Sequence, residues 1–487
     1  MKKRIKKIEQ FIIKHDKLFF IIVFFIMIIG KALYMKTLPG DEMWNFQNIY
    51  KMYNGYKIYI DANVITTPLF HFIGVILFKL FGANFFVFKM YNVFLCLFIF
   101  FGIYKLFKTL KNDKINSLIF TFILFLLSGE KLIGITANYN SLAILFVIYA
   151  ILLNINKEKY KNYFLYEAIL IFLIIITKQN VGIYYIIGYI IYAIIEPKQL
   201  KQLIKIFGLL FVFSVVFLYI LFKLNVLQGF INYCFIGIKE FGQYNIKVDV
   251  YWTLFLIFIG LINGLLIVFM KYNSKSKMND REKNNVKIIA CFSYMIGLIN
   301  YPIFNKAHIN CSLILQYILL IYMLYINFKN IKINKKYVIY LLSLLIIIFS
   351  VESIFFVYKY FNIVVNNKYE DVYFGTLFDD NIKEKIENVT NYIKNSKKEV
   401  VSLSPDAALY MIPLKRSNFE MDLILLGNLG KNGESNIIEK VSRLENKIIL
   451  INKEKISLQE SDKLREYVMK NFEKIGEIED LLVFETK

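Results

Sequence analysis

Hydrophobic residues run through the first three quarters of this chain in long unbroken stretches, separated by short basic linkers. Stretches near the span length of roughly 17–25 residues read as membrane-crossing helices. They fall at about 18–35, 85–107, 115–129, 138–155, 163–177, 181–196, 203–223, 250–270, 286–304, 309–327 and 337–358, which makes eleven. The intervening linkers alternate in charge. KKRIKK, YKLFKTLKNDK, NKEKYK, EPKQLKQLIK, KYNSKSKMNDREKNNVK and NFKNIKINKKY fall on one side, and loops with fewer lysines on the other. The bias of Lys and Arg toward the cytoplasm places the N-terminus inside. An odd number of spans then places the polar tail outside.

One apolar piece breaks this alternation if it is counted. PLFHFIGVILFKLFG, Pro68 to Gly82, is short and holds His71 and Lys79. That length suits an interfacial helix rather than a span. Residues 36–84 thus form one long external loop carrying two helices on the membrane. The first runs from Glu42 to Tyr53, with Met43, Phe46, Tyr50 and Tyr53 on one face and Asp41, after Pro39-Gly40, as its N-cap.

From about residue 366 the pattern changes. NIKEKIENVTNYIKN, SPDAALYMI, NIIEKVSRLENK and DKLREYVMKNFEKI read as helical, while KEVVSLS, DLILLGNLG, KIILIN and LLVFE read as strands. This is a small α/β domain with a parallel or mixed sheet. GNLG within it reads as a plain turn after a strand. The fold class is therefore mostly α: a bundle of about eleven transmembrane helices over residues 18–360, behind a basic cytoplasmic N-terminus (1–17), with a soluble external α/β domain over 366–487.

Composition sharpens this reading. Of 487 residues, 57% are hydrophobic and the net charge is +22. That charge invites nucleic acid as a partner, but its distribution excludes one. Residues 366–487 hold 19 basic and 22 acidic residues, net −3, whereas the apolar part holds 40 and 15, net +25, clustered in its linkers. The four cysteines, Cys96, Cys234, Cys291 and Cys311, have no metal-like spacing and lie outside the tail, so neither a disulfide framework nor a zinc site is expected. The N-terminus has the charged and apolar parts of a signal peptide without a small-residue cleavage site, and reads as a retained first span.

With this topology, ionisable residues from distant parts of the chain gather on the external side. Asp41 and Glu42 lie in the first loop. Glu130 and Asn138, Tyr139 and Asn140 lie at the second external turn. Lys178 ends the fifth span, Lys306 and His308 join the ninth to the tenth, and Glu352 lies in the outer half of the last. Each alone has a bland reading: a helix cap, a snorkelling lysine, an interfacial histidine. Their shared side points to function.

The first loop, with its acidic pair, amphipathic helix and TTPLFHFIGVILFKLFG, resembles the first external loop of GT-C membrane glycosyltransferases. Protein O-mannosyltransferases and the aminoarabinose transferases of lipid A are the nearest in style. TANYNSLAI, TKQNVGI and YPIFNKAHI resemble later patches of bacterial members, and the resemblance spans roughly residues 15–360. It implies transfer of a sugar from a polyprenyl-phosphate carrier to an acceptor lipid, polymer or protein of the cell envelope, on the outer face of the plasma membrane, with inversion and with Asp41 in the catalytic role. Some relatives carry a second acid where this chain has NYN, and the nearest acid here, Glu130, lies several residues earlier.

The chemistry fits that residue set. An inverting transfer needs one carboxylate to take the acceptor's proton. A lipid-phosphate leaving group needs its growing charge stabilised. Asp41 is the expected base and Glu42 a positioning or metal-side neighbour. Lys178, His308, Lys79 and Lys89 are candidates for the phosphate, beside Asn138, Tyr139 and Asn140. No cofactor is called for, and a divalent metal is left open. A lipid-linked sugar transporter would favour internal repeats and charges near the bilayer midplane. A non-catalytic envelope protein would act through its external domain alone.

Overall fold

In the computed structural model each of the eleven apolar stretches falls on a helix among the described residues. The structure describes residues 10–11, 14–35, 40–111, 113–132, 138–238, 249–272, 278–300, 304, 306–328, 335–366, 377–378, 380–404, 406–418, 424–455 and 460–486. In chain order the helices containing the stretches are α1 (Asp16–Leu33), α4 (Phe85–Lys111), α5 (Lys114–Leu132), α6 (Tyr139–Ile155), α7 (Tyr163–Thr177), α8 (Gln179–Ile195), α9 (Leu200–Lys223), α11 (Val250–Tyr272), α12 (Asp280–Gly297), α13 (Lys306–Phe328) and α14 (Lys335–Asn366). Between α1 and α4 lie α2 (Gly40–Tyr53) and α3 (Leu69–Phe81), and between α9 and α11 the short α10 (Leu227–Ile231). Among the described residues α4, α9, α11 and α13 are each long and apolar enough to cross a membrane. The exposed faces of α9 and α11 are themselves apolar, with Phe211 71% and Leu265 69% accessible. Large bare apolar faces of this kind are stable in lipid and costly in water. The protein is a multi-pass membrane protein.

The chain divides into two compact units. The first comprises Met1–Ala32, Asn92–Val215 and Lys247–Tyr358. Its interior is built on α13, which packs on α5, α11 and α12, while α12 also packs on α8, and α7 on both α6 and α8. Polar side chains tie these helices where they cross. Asn263 donates to Gln316, Ser293 donates to the Leu315 carbonyl, and Gln316 donates to the Ser293 carbonyl. Small residues permit the closest approaches. Gly30 of α1 donates its N–H to Ser353 Oγ of α14 at 2.8 Å, and a Cβ there would meet the Ser353 carbonyl oxygen at 2.0 Å. Gly30→Ala is therefore expected to destabilise the protein by about 1–3 kcal/mol through overpacking. A detergent melting curve equal to that of the unaltered protein would disprove this contact.

Two spans depart furthest from the sequence expectation at their ends. The helix expected from 286 begins at Asp280, because Asn279 and Glu282 form a reciprocal capping box that starts it inside the basic linker. It gives way to a 3-10 turn at Leu298–Asn300. The last helix runs eight residues past the expected end at 358, to Asn366.

The second unit comprises Leu33–Tyr91, Val216–Ile246 and Lys359–Lys487. Its sheet has the order β3-β4-β6-β5, from β3 (Glu399–Ser402), β4 (Lys447–Asn452), β6 (Leu481–Glu485) and β5 (Glu473–Ile478). β3 pairs with β4 in parallel, and the other two pairings are antiparallel, so the sheet is mixed. α15 (Asp380–Asn395), α16 (Ala407–Met411), α17 (Gly433–Ser442) and α18 (Asp462–Asn471) accompany it. Val401, Ile449 and Phe484 of the sheet and Ile437, Val441, Leu464 and Val468 of the helices share one core.

β5 corrects a sequence expectation. The helix expected to run through Ile475 stops at Asn471, and the following residues pair with β6 through a turn at Glu479, φ 52°. β5 is an edge strand whose residues are mostly exposed, so its sequence lacks an apolar alternation. Most of the expected strand DLILLGNLG lies outside the described residues. Its described end makes one antiparallel bridge, Leu425 to Glu460, then turns at Gly427 and Gly430, both at positive φ.

The first loop is built into this same unit. A two-residue strand β1 (Tyr34–Met35) pairs in parallel with β2 (Leu377–Phe378). Asn63 donates to the Asn428 carbonyl, and α16 packs on α2. As a result α2 does not lie as a helix with one bare face. Every residue from Glu42 to Tyr50 is buried, as is Lys51. Its apolar stripe meets α3 and α4, where Phe46 contacts the rings of Phe78, Phe85 and Phe88. Amphipathicity in the sequence cannot tell a helix facing water from one whose polar face is covered by a distant segment.

Candidate active site

In the second unit the candidate residues gather around α2. The helix begins at Gly40, two residues earlier than expected, so Asp41 stands inside the first turn rather than at the cap. Its side chain lies outside the described residues. An acid in the first turn favours the helix by complementing its positive end. Glu42, next along, is 1% exposed and pairs with Lys89 of α4, whose Nζ lies 2.5 Å from Glu42 Oε1. Lys89 is also buried and stands 5.2 Å from the centre of the Phe85 ring. Lys89 thus neutralises a buried carboxylate. Lys79, near the end of α3, is exposed.

Around the same helix lie buried polar groups without hydrogen-bond partners among the described residues. They include Trp44 Nε1, both polar atoms of Asn48, and both ring nitrogens of His71. Trp44 and Asn48 stand one helical turn apart on one face. The Trp44 and His71 rings meet edge to face at 6.3 Å. α2 and α3 approach this closely because Gly74 leaves room for Ile49, whose Cδ1 would lie 2.4 Å from an added Cβ. Burial pushes the His71 pKa down to about 3, so its ring is neutral and offers one donor and one acceptor. Such groups are costly unless something bonds to them. A polyhydroxylated ligand has the matching chemistry. The sequence pattern marked neither Trp44 nor Asn48, which look like ordinary helix residues, and noted His71 only as a polar residue of the short apolar piece 68–82.

In the first unit a second group forms around Lys178. This residue is the single non-helical link between α7 and α8, with φ −153° and ψ 108°. The two helices fold back on each other because Gly182 lies against Ile175, where a Cβ would come within 3.0 Å of the Ile175 Cα. The buried Lys178 Nζ donates to Asn140 Oδ1 and lies 5.6 Å from the centre of the Tyr139 ring. His308 and Cys311, in the first turns of α13, are within electrostatic reach of it. Asn138 caps α6 by accepting from the Ser141 N–H at 3.0 Å. Five of the expected residues, Asn138, Tyr139, Asn140, Lys178 and His308, therefore come from three helix ends to one place. Cys311 joins them without having been expected. A cation beside the N-terminal ends of α6 and α13 makes a field that suits an anion.

The remaining expected residues are dispersed or undescribed. The side chains of Glu130 and Lys306 lie outside the described residues, and Glu352 sits exposed on α14. Among the described residues no three His, Cys, Asp or Glu side chains gather as metal ligands.

The chain resembles a solved structure of ArnT from Cupriavidus metallidurans. That structure holds undecaprenyl phosphate, and the two chains match over 98% of each, at 8% identity and a TM-score of 0.42. No family model matches the chain, and no curated protein does.

Proposed function

We propose that this protein is a membrane glycosyltransferase, which moves a sugar from a polyprenyl-phosphate donor to a cell-envelope acceptor on the outer face. The observation that carries the reading is the group around Lys178, a buried ammonium with an amide, a tyrosine and a histidine at converging helix ends. Buried cations beside helix N-termini are a receptor for phosphate.

The chemistry follows from the roles assigned. Asp41 accepts the proton of the acceptor hydroxyl as its oxygen attacks the anomeric carbon from the face opposite the phosphate. The bond from that carbon to the phosphate oxygen breaks with inversion. The electron pair leaves on the lipid phosphate, and Lys178 stabilises the charge that develops there.

The test uses the full-length protein in liposomes with radiolabelled polyprenyl-phosphate sugars. Lys178→Gln is expected to lower kcat/KM for the donor by about 10²–10³-fold, with Lys178→Arg recovering part of the loss. An unaltered kcat/KM in Lys178→Gln would remove the phosphate role. Movement of labelled lipid across the bilayer with no covalent transfer would support the transporter reading instead.

A further inference from the structure

The first unit holds a cavity of about 1020 Å³ that the proposed chemistry does not use. One end is basic, and its lining includes Lys17 of α1, Lys105 of α4, Lys159 in the linker after α6, and Arg281 of α12. These are the helix ends that carry the basic linkers. The other end is apolar, with Phe98 of α4, Phe146 of α6 and Leu170 of α7. Phe98 and Tyr166, on its open side, are about half exposed, at 51% and 50%.

The basic end is short of acids. Asp16 is shared by Lys108 and Lys114 at 2.7 and 3.0 Å, and also accepts from the Tyr104 hydroxyl. Glu196 pairs with Lys287 at 2.5 Å, and Glu158 acts on Lys157. Asp280 pairs with Lys283, and Glu282 is engaged in capping α12. Among the described residues Lys17, Lys105, Lys159 and Arg281 have no carboxylate at salt-bridge distance. Lys105 is held over the Phe101 and Tyr149 rings at 4.6 and 5.9 Å, with Lys17 near enough to repel it. Like charges gathered without acids await an anion.

The dimensions specify which kind. From Lys108 to Phe98 along α4, and from Asn156 to Phe146 along α6, the wall runs ten residues, roughly 15 Å at the helical rise. That is about half of a hydrocarbon core of roughly 30 Å, the depth of one leaflet. A free phosphate would use only the basic end and leave the apolar wall wet.

We infer that this cavity is a binding site for an anionic glycerophospholipid of the leaflet on the basic side, its phosphate among Lys17, Lys105, Lys159 and Arg281 and one acyl chain along Phe98, Phe146 and Leu170. Neither the sugar donor nor the acceptor is needed for it, so it stands or falls apart from the transferase reading.

The test is native mass spectrometry of the full-length protein in detergent, with phosphatidylglycerol and phosphatidylcholine of identical acyl chains. Phosphatidylglycerol is expected to be retained at least about 10-fold more strongly. The double variant Lys105→Gln, Arg281→Gln should lose about 30-fold of that affinity, at about one order of ten per 1.4 kcal/mol and about 1 kcal/mol per cation. Lys283→Gln, which removes a cation already paired with Asp280, should lose none. Lys159→Gln, in the linker, gives a second reading of about 5-fold should the double variant not fold. Equal retention of the two lipids, or unchanged retention in these variants, overturns the inference. Displacement by millimolar inorganic phosphate alone overturns it in favour of a free anion. Preferential displacement by polyprenyl phosphate overturns it in favour of the carrier lipid.

Discussion

Replacing Lys89 by alanine is expected to destabilise the protein by about 3–5 kcal/mol, the cost of breaking a buried ion pair from one side. Both partners are enclosed, with 3% and 0% of their side chains accessible, and their charged atoms are 2.5 Å apart. The Lys89 ammonium supplies the counter-charge for the buried Glu42 carboxylate. Without it the carboxylate is left buried with its charge uncompensated, which weakens the seat of α2. The pair itself is not a strong source of stability, since desolvating two charges offsets most of their attraction. The double variant Glu42→Met, Lys89→Met should therefore regain most of the loss. Thermal unfolding in one detergent distinguishes the cases. A single variant within about 1 kcal/mol of the unaltered protein would show that the pair is not buried as described.

Asp41→Asn is expected to reduce sugar transfer by about 10²–10⁴-fold, the usual worth of a positioned general base. Asparagine has nearly the same shape and is well tolerated at a helix start, so folding should be unaffected. The lost charge removes at most about 1 kcal/mol of dipole complementarity in the first turn of α2. A melting curve like that of the unaltered protein, together with lost turnover in proteoliposomes, is the expected pair of results. Asp41→Glu keeps the base but moves it, so partial activity is expected. Full transfer by Asp41→Asn would assign the base to another group. The ion pair is in keeping with Asp41 rather than Glu42 as the base, because the Glu42 carboxylate is engaged by Lys89 Nζ at 2.5 Å.

Much of the architecture is legible in the chain because apolar runs have a single physical use at this length. Each of the eleven stretches became a helix, since lipid demands that backbone polar groups be satisfied within the segment. β3, β4 and β6 were equally legible, being apolar on faces that enter a core. β5 was not, because an edge strand with little to bury leaves no pattern. The candidate residues divide along the same line. Lys178 and His308 stood out because charge beside an apolar run is rare. Trp44 and Asn48 did not, because nothing local says that a polar side chain will be enclosed without a partner.

The sequence by itself thus determined the class of molecule and the apolar helices and their order. These follow from composition over windows of one segment, where solvent transfer dominates. Tertiary structure alone decided that the first loop folds with the C-terminal sheet, that Lys89 answers Glu42, and that Asn140 and Lys178 meet. Such pairings depend on residues tens to hundreds of positions apart. Their energies arise only when the enclosing segments exclude water and turn a weak surface contact into a costly or decisive one.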